Sequence, residues 1–186
     1  MFDDATRSNL YRQLAATERA GLPLPGGMAR IVDLGGPAAR ILSPVLAELD
    51  KHYPGAKGYE IAGFFWWQGD KDRYNPVHAS RYEQNLVHFI KTLRKDFDAP
   101  NAKFVCATLG QTQKGAEGNE GLILDAMFAV DGKSGKYPEF KGDVSTVYTN
   151  PVSMGGSSNG HYGGNAETYM NVGEAMGKAM VEMQDE

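Results

Sequence analysis

The sequence predicts an α/β protein in three layers (α/β/α), in which a parallel sheet lies between helices. From Lys57 onward, apolar segments of strand length alternate with amphipathic segments of helix length. A crossover between two neighbouring parallel strands is right-handed, so this order places helices on both faces of the sheet. Glycine is also enriched, at 23 of 186 residues, and it clusters in particular loops, as in residues 155–160.

Three strands and three helices follow from the hydrophobic periodicity. The first strand is a continuous apolar run, which is typical of a strand buried on both faces. The first helix shows one apolar stripe of period 3.6, and Asn165 is a suitable N-cap for the last helix. Gly132 is the expected C-cap of the middle helix. The predicted strands are 59–67, 103–109 and 143–149, and the predicted helices are 78–97, 122–130 and 165–183.

The first 56 residues form a helical N-terminal segment that is assigned less completely. Two helices are predicted, at about 5–20 and 37–52, and residues 29–34 have the composition of a short strand. We therefore divide the chain into residues 1–56 and a C-terminal α/β domain over residues 57–186.

Composition excludes several classes of protein. Nineteen Lys and Arg against 23 Asp and Glu give a net charge of −4, which argues against a nucleic-acid partner. No apolar run approaches the roughly 18 residues that a membrane span needs. The one cysteine, Cys106, excludes an internal disulfide, and no His, Asp and Glu set has metal-ligand spacing.

We expect no metal, no cofactor and no membrane partner. The start of the chain lacks the order of a signal peptide, and the compartment stays open.

Polar residues follow each predicted strand at its carboxyl end, where parallel sheets bind ligands. The three loops begin at residues 67–73, 110–112 and 149–151, and the last of them leads through a glycine-rich stretch to His161. In such a loop His161 is either an exposed histidine or a general base for a nucleophile at the same edge. Both interpretations remain open on the residues alone.

The loop after the first strand carries the other candidates. Gln68 and the Gly69 N–H could donate to a developing oxyanion, although Gln68 could equally tie down a turn. Asp70 and Asp72 are candidate substrate ligands, general acids or polar turn residues. Gln111, after the second strand, is a further candidate for substrate binding at the same edge.

Five motifs together resemble the sialate O-acetylesterase-like branch of the SGNH (GDSL-like) hydrolases, which includes carbohydrate acetylesterases such as acetyl xylan esterases. The resemblance covers roughly residues 58–183. The motifs are GFFWWQG at 63–69, YEQNL at 82–86, LRKD at 93–96, YPEFKG at 137–142 and HYGGNA at 161–166.

The resemblance implies a flavodoxin-like fold and a carboxylic ester hydrolase that removes O-acetyl groups from a carbohydrate. It assigns His161 as the catalytic base and Gln68 with Gly69 as the oxyanion side. Many relatives carry an aspartate three residues before the histidine, where this chain has Ser158. Either Asn159 orients the imidazole, as an amide does in some triads, or another acid of the chain does so.

The family nucleophile is a serine in a Gly-Gln-Ser-Asn-like motif after the first strand, and this sequence has no such motif. Ser8 and Asn9 share only the Ser-Asn pair, with no preceding strand and no glycine. We therefore expect the chain to be the C-terminal part of an esterase domain whose first strands and nucleophile lie upstream. An uncovered sheet edge is then expected to cause self-association. The alternative is a non-catalytic carbohydrate-binding or scaffold domain that kept the fold.

Overall fold

The computed structural model describes residues 51, 53–55 and 60–185. The helices predicted at 5–20 and 37–52, and the strand at 29–34, lie essentially outside the described residues. The chain forms two compact units. Ala62–Val87 with Asn101–Glu186 contains the sheet, whereas His88–Pro100 belongs with the residues up to Ile61. The predicted domain boundary near residue 57 stays a prediction.

The sheet has three parallel strands in the order β1–β2–β3, which confirms the α/β fold class. The strands are β1 (Gly63–Trp67), β2 (Lys103–Ala107) and β3 (Val144–Val147). In the register, Trp66 lies beside Cys106, and Cys106 lies beside Thr146. Side chains alternate between the two faces along each strand, so these three residues share one face.

Each strand of the described chain is followed by a helix. These are α1 (Pro76–Asp96), α2 (Gly118–Ala129) and α3 (Ala166–Gln184). Asn165 is the N-cap of α3 and accepts a hydrogen bond from the Thr168 N–H at 2.8 Å, as predicted. Across the described residues, no helix combines the length and the apolar character needed to cross a bilayer.

Helices cover both faces of the sheet and complete three layers. On one face, Trp66 Nε1 donates to the hydroxyl of Tyr82 in α1, and Thr146 Oγ1 donates to the Met127 carbonyl in α2. On the other face, α3 packs its apolar stripe against β2 and β3 in a core of aliphatic and methionine side chains. That core consists of Val105, Ala107, Val172, Met176, Met180 and Met183.

β2 and β3 each end two residues earlier than the sequence predicts, and threonine side chains join the chain just beyond their ends. Thr149 N–H donates to Thr108 Oγ1 at 3.0 Å, and Thr149 Oγ1 donates to the Thr108 carbonyl at 2.7 Å. Both residues are fully buried. These bonds span 41 positions in the sequence, and they join the two strand ends at the edge that carries the candidate site.

The expectation that β1 is buried on both faces is wrong. Phe65 is 55% exposed, and no residue of β1 is fully buried. The physical reason is the position of α3, which packs chiefly against β2 and β3. Its contacts with β1 are at the two ends of the strand, where Met180 lies close to Gly63 and Tyr169 lies close to Trp67. In the described residues β1 pairs with β2 alone, so self-association through β1 stays a prediction.

The outer edge of β3 is closed by the segment that follows α2. Asp131 Oδ2 accepts from the Thr146 N–H at 2.7 Å, and the Gly132 N–H donates to the Val144 carbonyl at 2.8 Å. Gly132 is therefore not the C-cap of α2, which is Val130. Filling these backbone groups removes part of the template that an exposed edge strand presents to other chains.

Replacing Asp131 by alanine should weaken the fold, because the partly buried Thr146 N–H loses its hydrogen-bond acceptor. We expect the free energy of unfolding to fall by about 1–3 kcal/mol, measured by urea denaturation. Asp125→Ala, at an exposed carboxylate of α2, is the matched control and should change stability by less than about 0.5 kcal/mol. Equal stability of the two variants would show that the Asp131 carboxylate does not stabilise β3.

Candidate functional site

The loops after the three strands meet at the carboxyl edge of the sheet and are joined by hydrogen bonds. Asn150, after β3, donates its side-chain amide to the Gly110 carbonyl at 2.7 Å. Trp67, at the end of β1, donates Nε1 to the Thr108 carbonyl at 3.1 Å. The predicted convergence of these loops is thus present in the structure, and each loop is held in register with its neighbour.

His161 lies in a short 3-10 segment, Ser158–Gly164, with an unusual backbone. His161 and Tyr162 both have positive φ, 51° and 52°, and Gly163 follows at 60°. Non-glycine residues in the left-handed region cost on the order of 1–3 kcal/mol each and cluster at functional sites. The His161 side chain is exposed, so solvent and a substrate can reach the imidazole.

Tyr162 anchors this strained segment to the sheet. Its buried ring stacks on Trp67 with centroids 5.6 Å apart, and its hydroxyl accepts from the Gly110 N–H at 3.0 Å. Burial raises the pKa of Tyr162, and the hydrogen bond from the Gly110 N–H lowers it by less. The hydroxyl therefore stays protonated at neutral pH. Tyr169 adds a second tie by donating its hydroxyl to the His161 carbonyl at 3.2 Å.

Gln68 is held at both ends of its amide. Gln68 Nε2 donates to Asp72 Oδ2 at 2.5 Å, and Gln68 Oε1 accepts from the Tyr82 hydroxyl at 3.0 Å. Burial, with the nearby Cys106 and Asp72, raises the pKa of Tyr82 well above its usual value, so this hydroxyl remains a donor. Asp72 is only 2% exposed, and its geometry favours holding Gln68 over contacting a substrate. One N–H of the Gln68 amide stays available for another acceptor.

Gly69, the next residue, is buried and has a φ of +131°, a backbone conformation that residues with a side chain rarely adopt. A Cβ at this position would approach Ile123, Met127 and Tyr82 to within 3.1–3.4 Å. The turn that follows β1 therefore requires glycine at this position.

Asp70 joins the loop after β1 to the segment that carries His161. Its Oδ1 accepts from Ser158 Oγ at 2.5 Å and from Arg73 Nε at 3.0 Å. Arg73 also donates to Glu120 at the start of α2. Burial opposes the charge on Arg73, but the hydrogen bonds and charges of Asp70 and Glu120 outweigh it and raise its pKa. Many relatives have an aspartate at the position of Ser158. In this chain Ser158 instead binds the carboxylate of Asp70, so a carboxylate is still present near that position.

Two predicted residues make other contacts than expected. Gln111 lies at the same edge, but its Oε1 accepts from the Ser158 N–H at 3.2 Å, and its Nε2 is buried without a partner in the described chain. Asn159 is exposed, and no residue in the described ranges hydrogen-bonds to the His161 ring. No contact between Asn159 and the His161 ring therefore supports the orienting role predicted for Asn159.

The described residues supply no nucleophile in contact with His161. Ser153 donates to the Thr149 carbonyl at 2.8 Å, Ser158 is bound to Asp70, and no serine between residues 60 and 185 hydrogen-bonds to the imidazole. Ser8 and Ser43 lie outside the described residues. Likewise, within the part of the chain that the structure describes, no three His, Cys, Asp or Glu side chains are grouped for a metal ion.

Sequence reasoning missed Tyr162 and Arg73. A signal for Tyr162 was present, since a large aromatic residue in a loop of glycine and polar residues has only the protein interior in which to bury its ring. Arg73 offers no such signal, because its two carboxylate partners come from different elements, the loop after β1 and the first turn of α2.

Comparison with known protein families gives one match that covers most of the chain. A family described as carbohydrate esterase, sialic acid-specific acetylesterase, matches residues 44–182. That range includes the sheet, α1, α2, all of α3 but its last two residues, and every candidate residue of the site that the structure describes. No curated protein and no solved structure gives a significant match.

Tyr162→Phe should release the Gly110 amide while leaving the stack on Trp67 in place. We expect a loss of about 1–3 kcal/mol in unfolding free energy, because a buried N–H loses its acceptor, and faster hydrogen exchange at Gly110. Tyr169→Phe, which removes an exposed tyrosine hydroxyl from the same segment, is the control and should leave Gly110 exchange unchanged. Protection of Gly110 in Tyr162→Phe would contradict the anchoring role.

Proposed function

The chain belongs to the carbohydrate esterase family of sialic acid-specific acetylesterases, and from that premise we propose that it forms the base and oxyanion side of a site that hydrolyses O-acetyl esters of a carbohydrate. The observation that carries the proposal is the position of His161. It is an exposed histidine at the carboxyl edge of a parallel sheet, on a strained backbone fixed by Tyr162. Stored strain of this kind is a feature of functional sites.

In the proposed mechanism His161 is the general base. Its imidazole takes the proton of a serine hydroxyl as the oxygen attacks the acetyl carbonyl, and it returns that proton to the sugar oxygen as the ester bond breaks. Water then repeats the sequence on the acetyl-enzyme and releases acetate. The serine is restored at the end, so protons and bonds balance over the cycle.

The oxyanion side consists of the Gly69 N–H and the second N–H of Gln68. The hydrogen bonds from Gln68 to Asp72 and from Tyr82 to Gln68 fix the amide before a substrate arrives. Donors held in place before the reaction stabilise a developing negative charge without the cost of reorganisation. In this proposal Gln68 both ties down the turn and donates to the oxyanion, because the contacts that anchor the turn also fix the orientation of its amide.

Asp70 takes the place of the missing triad aspartate as a positioning residue. It acts through Ser158, three residues before His161, because its hydrogen bond to the Ser158 hydroxyl fixes the segment that carries the imidazole. The nucleophile is proposed to lie outside the described residues. Ser8 is the candidate within this sequence, and an upstream serine is the candidate beyond it.

The alternative is a carbohydrate-binding or scaffold domain that kept the fold without the chemistry. The internal pairing of Asp70 with Ser158 and of Gln68 with Asp72 supports it, because both contacts also serve a purely structural role. Turnover decides between the two, since a binding domain holds the sugar ester and releases no acetate.

The 186-residue chain should release no acetate from p-nitrophenyl acetate above a His161→Ala control. Addition of the upstream segment should restore turnover, because the nucleophile is then present, and His161→Ala should abolish it. Robust hydrolysis by the 186-residue chain that is lost in Ser8→Ala would instead make Ser8 the nucleophile. A longer protein that binds acetylated sugars but never releases acetate would establish the scaffold alternative.

Gln68→Ala and Asp72→Ala separate the two roles of the Gln68 amide in the active protein. Both variants remove the hydrogen bond between Gln68 and Asp72, and both should lower the melting temperature. Only Gln68→Ala removes an oxyanion donor, so its kcat should fall about 10²- to 10³-fold below that of Asp72→Ala. Equal kcat values in the two variants would reduce Gln68 to a turn anchor.

A further inference from the structure

A cavity of about 870 Å³ lies at the amino edge of the sheet, opposite the edge that carries the candidate site. Lys103, which begins β2, and Val144, which begins β3, both line it. The segment after α2 and the last turns of α3 supply its other walls, and all of these residues belong to one compact unit. Small-molecule sites in proteins measure about 300–1,000 Å³, so the cavity has room for a small organic ligand.

Part of the cavity wall is apolar. Val144 and Met183 are buried beside it, and Ala179 is half-buried. Ala179 and Met183 are four positions apart in α3, so they lie on the same face of that helix. A ligand with a carbon body would remove this apolar surface from water, which favours binding.

The charged side chains around the cavity leave an excess of positive charge. Lys103 is already paired, since its Nζ donates to Asp143 Oδ1 at 2.7 Å. Lys133 and Lys141 also line the cavity, and no carboxylate in the part of the chain that the structure describes forms a salt bridge with either. Against these two ammonium groups stands the carboxylate of Glu182, in the last turn of α3. The lining therefore attracts an anion and repels a cation.

Backbone donors add to this excess. Gly135 and Gly142 line the cavity, and no residue in the described ranges accepts a hydrogen bond from the N–H of either one. The Gly142 peptide is held in place, because its carbonyl accepts from Lys103 Nζ at 3.1 Å. Backbone N–H groups in turns are common partners of bound anions, and a ligand that brings several acceptor oxygens would satisfy the donors that the protein leaves open.

We infer that this cavity binds a small organic phosphate monoester. Such a group carries a charge of about −1.5 to −2 at pH 7 and three acceptor oxygens, which match the unpaired ammonium groups of Lys133 and Lys141 and the open N–H groups. A carboxylate offers one charge and two oxygens and matches them less well. The carbon body of the ester would cover the apolar part of the wall. The site shares no residue with the proposed esterase site and extends the protein beyond that function.

Binding of phenyl phosphate to the ¹⁵N-labelled 186-residue chain tests the site, with the dissociation constant taken from amide shifts at neutral pH. The largest shifts should appear at Gly132, Gly135 and Gly142, which line the cavity. Inorganic phosphate should bind at least about threefold more weakly, because it has no apolar body to cover the wall. Benzoate keeps the ring but carries a single charge, so it should also bind more weakly than phenyl phosphate.

Substitutions of opposite sign test the role of charge. The double variant Lys133→Gln with Lys141→Gln should weaken binding of phenyl phosphate about tenfold, whereas Glu182→Gln should tighten it about twofold. Lys71→Gln is the matched control, because it removes an exposed lysine at the other edge of the sheet, and it should leave the dissociation constant unchanged.

Several results would overturn the assignment. These are no binding of phenyl phosphate by the wild type, an equal or higher affinity for inorganic phosphate or benzoate, and an equal loss in the double lysine variant and in Lys71→Gln. Weaker binding in Glu182→Gln would also contradict it. Binding that the double variant loses and Glu182→Gln strengthens would establish the site, whether or not the longer protein releases acetate.

Discussion

The contact of Tyr162 with Trp67 and with the Gly110 N–H is the constraint on which the candidate site depends. His161 and Tyr162 occupy the left-handed region, at a cost of about 1–3 kcal/mol each. A buried aromatic side chain contributes about 1.5–3 kcal/mol, and the stack and the hydrogen bond add about 0.5–1.5 kcal/mol each. The two sums are comparable, so the histidine keeps its strained position only while the ring remains inserted.

The same anchor ties the site to the sheet as a whole. Trp67 ends β1, Gly110 follows β2, and Asn150, which donates to the Gly110 carbonyl, follows β3. Both backbone groups of Gly110 are thus used to fix neighbouring loops. A change in the register of any one strand would displace the imidazole, because the loop that carries it is bound to the ends of the other strands.

The fold could be predicted from the sequence further than the site could. The alternation of strands with helices and the cap of α3 follow from local patterns, namely the spacing of apolar segments and the amide of Asn165. The contacts of Asp70 with Ser158 and of Arg73 with Glu120 join residues 88 and 47 positions apart. No local pattern encodes such pairs, since they exist only after parallel strands have brought their carboxyl ends together. The exposure of Phe65 escaped prediction for a similar reason, because it depends on where α3 lies.

Within the described residues, the edge of β3 is occupied by Asp131 and Gly132, and β1 is the strand of the sheet that has one partner. Asp131 and Gly132 already occupy the Thr146 N–H and the Val144 carbonyl, which point away from β2. Two chains that paired through β1 would form a continuous sheet whose outer strands are both β3. If such pairing occurs, growth by strand addition would stop at two copies, and the product would be a finite dimer instead of an open-ended fibril.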